Sequence, residues 1–221
     1  MDTGPTYDET GLPIRPKPDG SDIRRAEPGE RAAVVEALAR GFHDDPQLCW
    51  VLPNEDRRAH ALDMGFDFFA RWVYFQQGEV YTTDGLAGVA CWLPPGQTRV
   101  SAFRQLLMLP GLVRIFRADV RRLLALLNAF EKKHPHAPEH WYLPAIALRP
   151  EWQGRGFGAA LLAPVLDRCD REGLPAYLEA TGPRNRSLYE RHGFVVREEI
   201  RGRRDAPPAW AMWREPKSLG A

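Results

Sequence analysis

Apolar residues recur at helical spacing through Ala33, Val34, Ala37, Leu38 and Phe42, which predicts an amphipathic helix over residues 29–42. A first strand and a turn at Pro28-Gly29 are expected just before it, within residues 22–28. Two prolines then break the pattern over residues 43–56, where an irregular segment is expected. Residues 57–78 carry a broad apolar helical face that Gly78 ends. Residues 79–96 alternate as a hairpin does, with Asp84-Gly85 as its turn. From Ser101 to about Lys133 the period is helical again, as two helices split near Gly111 or Asp119. Beyond that the pattern predicts a strand over 140–148, a helix over 156–172 and a strand over 176–180. A short helix over 184–192 and strands over 194–200 and 209–214 complete it. Helices and an antiparallel hairpin followed by a strand–helix–strand unit predict one mixed α/β domain over residues 22–221. Residues 1–21, rich in Pro and Gly, are expected to form a flexible tail or surface strap.

Composition narrows the function classes. A formal charge of +1 gives no basic excess for a nucleic-acid surface. No run approaches the ~18 apolar residues of a membrane helix, and the first residues show no basic segment leading into an apolar one. Cys49, Cys91 and Cys169 are odd in number and far apart, so neither a disulfide framework nor a zinc site is expected. These features predict a cytoplasmic protein with no nucleic-acid or membrane partner and no metal.

The chemistry concentrates in "ALRPEWQGRGFGAALL", residues 147–162. Glycines at 154, 156 and 158 between a strand and a helix let a ligand approach the backbone, and the first helical amides attract phosphate. Arg155 adds a positive charge in the same turn. Gly154, Gly156 and Ala159 also satisfy the dinucleotide fingerprint G-x-G-x-x-G/A, with Glu179 at the end of the next strand. Against that reading, "RPEWQ" separates the strand from the first glycine, and too few residues follow for further βα units. A P-loop lacks its Gly-Lys-Ser/Thr.

The stretch resembles the acetyl-CoA loop Q/R-x-x-G-x-G/A of the GCN5-related N-acetyltransferase (GNAT) superfamily, with Gln153, Gly156 and Gly158 at the matching positions. The second signature of that family, an Asn and a Tyr before Gly-Phe, is matched in "NRSLYERHGF" by Asn185, Tyr189, Gly193 and Phe194. Residues 140–214 most resemble the puromycin N-acetyltransferase-like branch. The resemblance implies a single GNAT domain with a twisted, largely antiparallel mixed sheet, splayed at the cofactor strand, and helices on both faces. It implies that Ile146, Ala147 and Leu148 pair with the pantetheine amides of acetyl-CoA. The amides of Gly154, Arg155, Gly156, Phe157, Gly158 and Ala159 would take the pyrophosphate, with small residues needed so that no side chain fills its place. Asn185 would help hold the co-substrate, and Tyr189 would direct its hydroxyl at the thioester sulfur.

Elementary chemistry supports these roles. A phenol stays protonated at neutral pH and can donate to a departing thiolate. An amine acceptor must lose a proton before it attacks. Alternation places Tyr177, Glu179 and Thr181 on one face of the strand at 176–181, opposite Ala176, Leu178 and Ala180. Glu179 is therefore the first candidate base and His140 the second, with a water relay as a third route. In the first half, Asp44 and Asp45 offer attraction for a cationic amine, and Trp50, Phe69 and Trp72 offer pocket walls. Pro164, inside the helix after the loop, predicts a bend there. The expected activity is transfer of acetyl from acetyl-CoA to the primary amine of a small molecule, by direct attack in a ternary complex, in a monomer or homodimer. A protein or peptide acceptor and a non-catalytic CoA-binding sensor are the alternatives.

Overall fold

The computed structural model describes residues 23–218; the expected tail over 1–21 lies outside them. Seven strands form one sheet: β1 (Ile23–Arg25), β2 (Glu79–Thr83), β3 (Gly88–Leu93), β4 (Trp141–Leu148), β5 (Ala176–Ala180), β6 (Val195–Ile200) and β7 (Ala209–Arg214), in the order β1-β2-β3-β4-β5-β7-β6. Every pairing is antiparallel except β4 with β5. Every residue of the central strand β3 is buried, which matches its unbroken run "GVACWL".

On one face lie α1 (Arg31–Gly41), α3 (Glu55–Phe69), α5 (Ala102–Phe116) and α6 (Val120–Lys133), packed on Val80, Val89, Cys91, Leu93, Ala145 and Ala147. The other face packs Ala90, Trp92, Trp141, Leu143 and Leu178 against α7 (Phe157–Glu172) and α8 (Pro183–Arg191). Leu161, Leu162 and Val165 of α7 are fully buried there. Side chains of that size each contribute roughly 1.5–3 kcal/mol on burial. The α7 helix continues through Pro164 to a left-handed cap at Gly173.

Three local features depart from the periodicity. The proline-broken segment contains a helix, α2 (Pro46–Val51), because Asp45 caps it by accepting from the Gln47 and Leu48 amides and Pro46 occupies the first turn. The long helix ending at Gly78 is interrupted by a π turn, Ala70–Tyr74, before its last turn α4 (Phe75–Gln77). The split between α5 and α6 falls at Arg117–Asp119, and Pro110-Gly111 stays inside α5.

Candidate acetyl-transfer site

Strand β4 pairs with β3 along most of its length, from Tyr142↔Leu93 to Leu148↔Gly88, but with β5 only at Trp141, Tyr142 and Leu143. From Pro144 onward the two parallel strands part. Pro144 has no N–H to offer a ladder, so the divergence begins at a residue that could not have sustained it. Ile146, Ala147 and Leu148 lie in the parted half, although the Leu148 carbonyl already accepts from Gln153 Nε2 at 3.2 Å.

The loop after β4 turns at Gly154 and Gly156, whose φ of 79° and 92° lie in the left-handed region that favours glycine. Gly156 is the N-cap of α7. The amides of residues 154–158 donate to no protein group among the described residues, whereas Ala159 and Ala160 both donate to the Gly156 carbonyl. The amides from Gly154 to Gly158 are thus free of protein acceptors among the described residues, while that of Ala159 is engaged in the first turn of α7. Gly158 has a different reason to be small: a Cβ there would meet Leu188 Cδ2 at 3.1 Å, so it lets α8 approach α7. Two guanidiniums flank the loop. Arg155 lies over the Trp152 ring at 5.4 Å, and Arg184 donates to Gln153 Oε1 at 3.4 Å.

Helix α8 joins this loop to a cavity of about 420 Å³ on the other side. Arg184 faces the loop, while Asn185 and Tyr189, one turn apart, line the cavity together with Ile146, Thr181 and Glu179. Tyr189 is buried, and that burial, with the Asp45 carboxylate nearby, holds its hydroxyl protonated well above the usual phenol range. Glu179 Oε2 accepts from the Tyr142 hydroxyl at 2.8 Å, while Oε1 is enclosed without a partner. Burial raises the Glu179 carboxyl to about 7, against the opposing bond from Tyr142.

Asp45 is the second carboxylate of the cavity. It is 8% exposed, caps α2 and accepts from the Thr181 hydroxyl, and burial raises its pKa. The remaining walls are mostly apolar, among them Phe66, Phe69, Met108, Leu112 and Phe116, with Gln47, Arg99, Gln105, Asn128, Glu131 and His134 as polar interruptions.

Several sequence candidates lie elsewhere. Asp44 is exposed and bonded to His43, and neither lines the cavity. Trp50 turns its indole N–H to Asp205, and Trp72 stacks on Phe68. His140 is enclosed between His134 and Trp213 and does not reach the cavity; His134, which the pattern did not single out, does. Cys49, Cys91 and Cys169 are free thiols, and burial raises each of their pKa values. Among the described residues no helix is long and apolar enough to cross a membrane.

Residues 42–194 match the acetyltransferase (GNAT) family, and the chain belongs to it. The protein is thus an N-acetyltransferase, of a family that uses acetyl-CoA. It is 27% identical over 212 residues to an uncharacterized N-acetyltransferase of Schizosaccharomyces pombe, covering 88% of this chain and 83% of that one. A solved structure from Corynebacterium glutamicum, described as histone acetyltransferase HPA2 and related acetyltransferase, is 27% identical with a TM-score of 0.66, over 90% of this chain and 98% of that one. Arylalkylamine N-acetyltransferase 2 of Aedes aegypti shares the fold at 13% identity and a TM-score of 0.57, over 88% and 98% of the two chains.

Proposed function

We propose that the protein transfers acetyl from acetyl-CoA to the primary amine of a small, largely apolar molecule, by direct attack in a ternary complex. The observation that carries this reading is the arrangement about α8. On one side lies a run of backbone amides with no acceptor among the described residues; on the other lies a largely apolar cavity that Glu179 and Tyr189 both line. Acetyl-CoA would supply the acetyl thioester. The amides of residues 154–158, with Arg155 and Arg184 beside them, fit its phosphates, and the unpaired edge of β4 at Ile146, Ala147 and Leu148 fits an extended amide chain. Gln153 braces the loop on the Leu148 carbonyl, and Asn185, next to Arg184 on α8, lines the cavity.

Glu179, poised near neutrality, would take a proton from the ammonium of the acceptor. Tyr189, kept protonated, would donate to the thiolate as it leaves. Asp45 would attract the cationic form of the amine. A cytoplasmic setting, and a place nearest the puromycin-type branch on residues 140–214, belong to the same proposal. A protein acceptor is the second reading, favoured by the description of the C. glutamicum relative; the apolar walls of the cavity favour a small molecule over a polar protein tail.

Calorimetric titration with acetyl-CoA, followed by a thiol-release screen over amines that includes an aminonucleoside and a peptide N-terminus, tests the proposal. Micromolar acetyl-CoA binding and turnover of an apolar amine are expected. Binding without turnover of any amine would leave a CoA-binding sensor, and turnover of the peptide alone would overturn the small-molecule reading.

A further inference from the structure

Among the polar groups that line the cavity and that acetyl transfer leaves unused, His134 stands in a buried pair with a second histidine. His134 follows α6 and is 4% exposed; His140 precedes β4 and is 3% exposed. Their Nε2 atoms lie 3.1 Å apart, and His140 Nδ1 lies 2.8 Å from the Pro138 carbonyl oxygen. A carbonyl oxygen can only accept, so His140 Nδ1 carries a proton. Both rings are enclosed by aromatic residues: His134 meets Tyr142 and Tyr177 edge-on at 4.6 and 4.8 Å, and His140 meets Trp213 at 5.2 Å. Burial lowers the pKa of each, so both are neutral at physiological pH.

A neutral imidazole has one N–H. His140 Nε2 is therefore a lone pair, His134 Nε2 donates to it, and His134 Nδ1 is left as a lone pair. Among the described residues that Nδ1 has no hydrogen-bond partner, and it is not fully enclosed. His134 lines the cavity, which gives that lone pair a route to a ligand. The neighbouring Tyr142 hydroxyl cannot fill it, because it is committed to Glu179.

We infer that His134 is a specificity-determining residue: its Nδ1, fixed as an acceptor by His140, selects amines that carry a second hydrogen-bond donor, such as a hydroxyl or a ring N–H. The inference rests on the reading of this cavity as the acceptor site. Glu179 and His134 flank the Tyr142 side chain, so the second donor lies about one aromatic side chain from the reacting amine. A buried acceptor discriminates against a ligand that leaves it unpaired.

Two measurements test it independently. The first is kcat/KM by thiol release for ω-arylalkyl amines of several chain lengths, each with and without a ring hydroxyl. At the best chain length the hydroxylated amine should exceed its plain partner by about tenfold or more. That ratio should collapse toward one in His134→Leu and persist in His134→Gln, whose amide oxygen still accepts. An unchanged ratio in His134→Leu would overturn the inference while leaving acetyl transfer intact.

The second is the ¹⁵N spectrum of histidine-labelled protein titrated with 4-methylphenol and, separately, with toluene. An unprotonated His134 Nδ1 that shifts with the phenol and not with toluene is expected. A protonated Nδ1, or equal response to both probes, would overturn the inference. If no amine is acetylated yet the phenol alone shifts Nδ1, the acetyl-transfer reading falls and takes the selection of amines with it, while His134 Nδ1 keeps its place as the acceptor for a ligand's hydroxyl.

Discussion

Replacing Glu179 with Gln keeps the side chain's size and its bond from Tyr142 but removes the titration. In the wild type the carboxyl is raised to about 7 from the ordinary 4.5, mainly by burial. Half of the enzyme therefore holds the ionised base near pH 7, and kcat should fall about tenfold per pH unit below that point. In Glu179→Gln kcat should drop by about 10²–10⁴ at pH 8, and the limb near 7 should disappear. The same shift has a stability signature of known sign. Between 4.5 and about 7 the folded protein binds a proton that the unfolded chain has released, so wild-type stability declines as pH rises through that window. At ~1.4 kcal/mol per tenfold change the decline has a ceiling of about 3 kcal/mol, reduced as far as cavity water solvates the carboxylate. The Gln variant lacks the decline, so its melting temperature should gain on the wild type from pH 5 to 8. Thiol release at saturating acetyl-CoA and thermal melts over one buffer series measure both. A Gln variant that keeps the same limb near 7 refutes Glu179 as the base. Melting curves that stay parallel across pH refute the raised carboxyl.

Tyr189→Phe should lower kcat by about 10²-fold or more while the Kd for acetyl-CoA changes little, since only the proton is lost; equal loss of both would show that the hydroxyl binds and does not act as acid. Gly156→Ala forces a Cβ onto a φ of 92°, costs about 1 kcal/mol and disturbs the amide cradle. Calorimetry should show weaker acetyl-CoA binding, and an unchanged Kd would remove the loop from the co-substrate site. Arg214, almost fully buried, donates to Asp170 at 2.7 Å and to the His192 carbonyl at 2.9 Å. Arg214→Leu strips Asp170 of its ion pair and leaves it only the Lys217 amide, which should cost about 3 kcal/mol, read as a melting temperature lower by about 10 °C. The Arg214 bond holds the Asp170 carboxyl below the usual 3.8, so this stabilisation is present above 3.8 and is lost as pH falls through the lower folded value.

How far the sequence reaches depends on how local the determining contacts are. From residue 140 onward each element is specified by its own neighbours: a strand of bulky residues, glycines whose φ only glycine tolerates, and an Asn–Tyr pair one turn apart. Strand alternation alone set Glu179 beside Tyr177 and Thr181, and those three share one face. Helix α2 was legible in principle, since Asp45-Pro46 is an N-cap followed by a first-turn proline, but two prolines outweighed the cap. The acceptor side was not legible, because its walls are decided by distant partners. Trp50 is drawn out of the cavity by Asp205, 155 residues away. Helical spacing alone could not rank Phe69 above Trp72, which stacks outward on Phe68. His134 lies in "HPHAPEH" among three histidines that no pattern ranks. The hydrogen bond between its ring and that of His140 singles it out, and that bond requires both rings to be buried against Tyr177. In the proposed function, co-substrate recognition would rely largely on backbone amides and glycine dihedrals, which a short motif encodes. Acceptor recognition in the proposed cavity would rely on side chains that converge from α2, α3, α5 and α6 and from the end of β5, so it emerges only once the chain has folded.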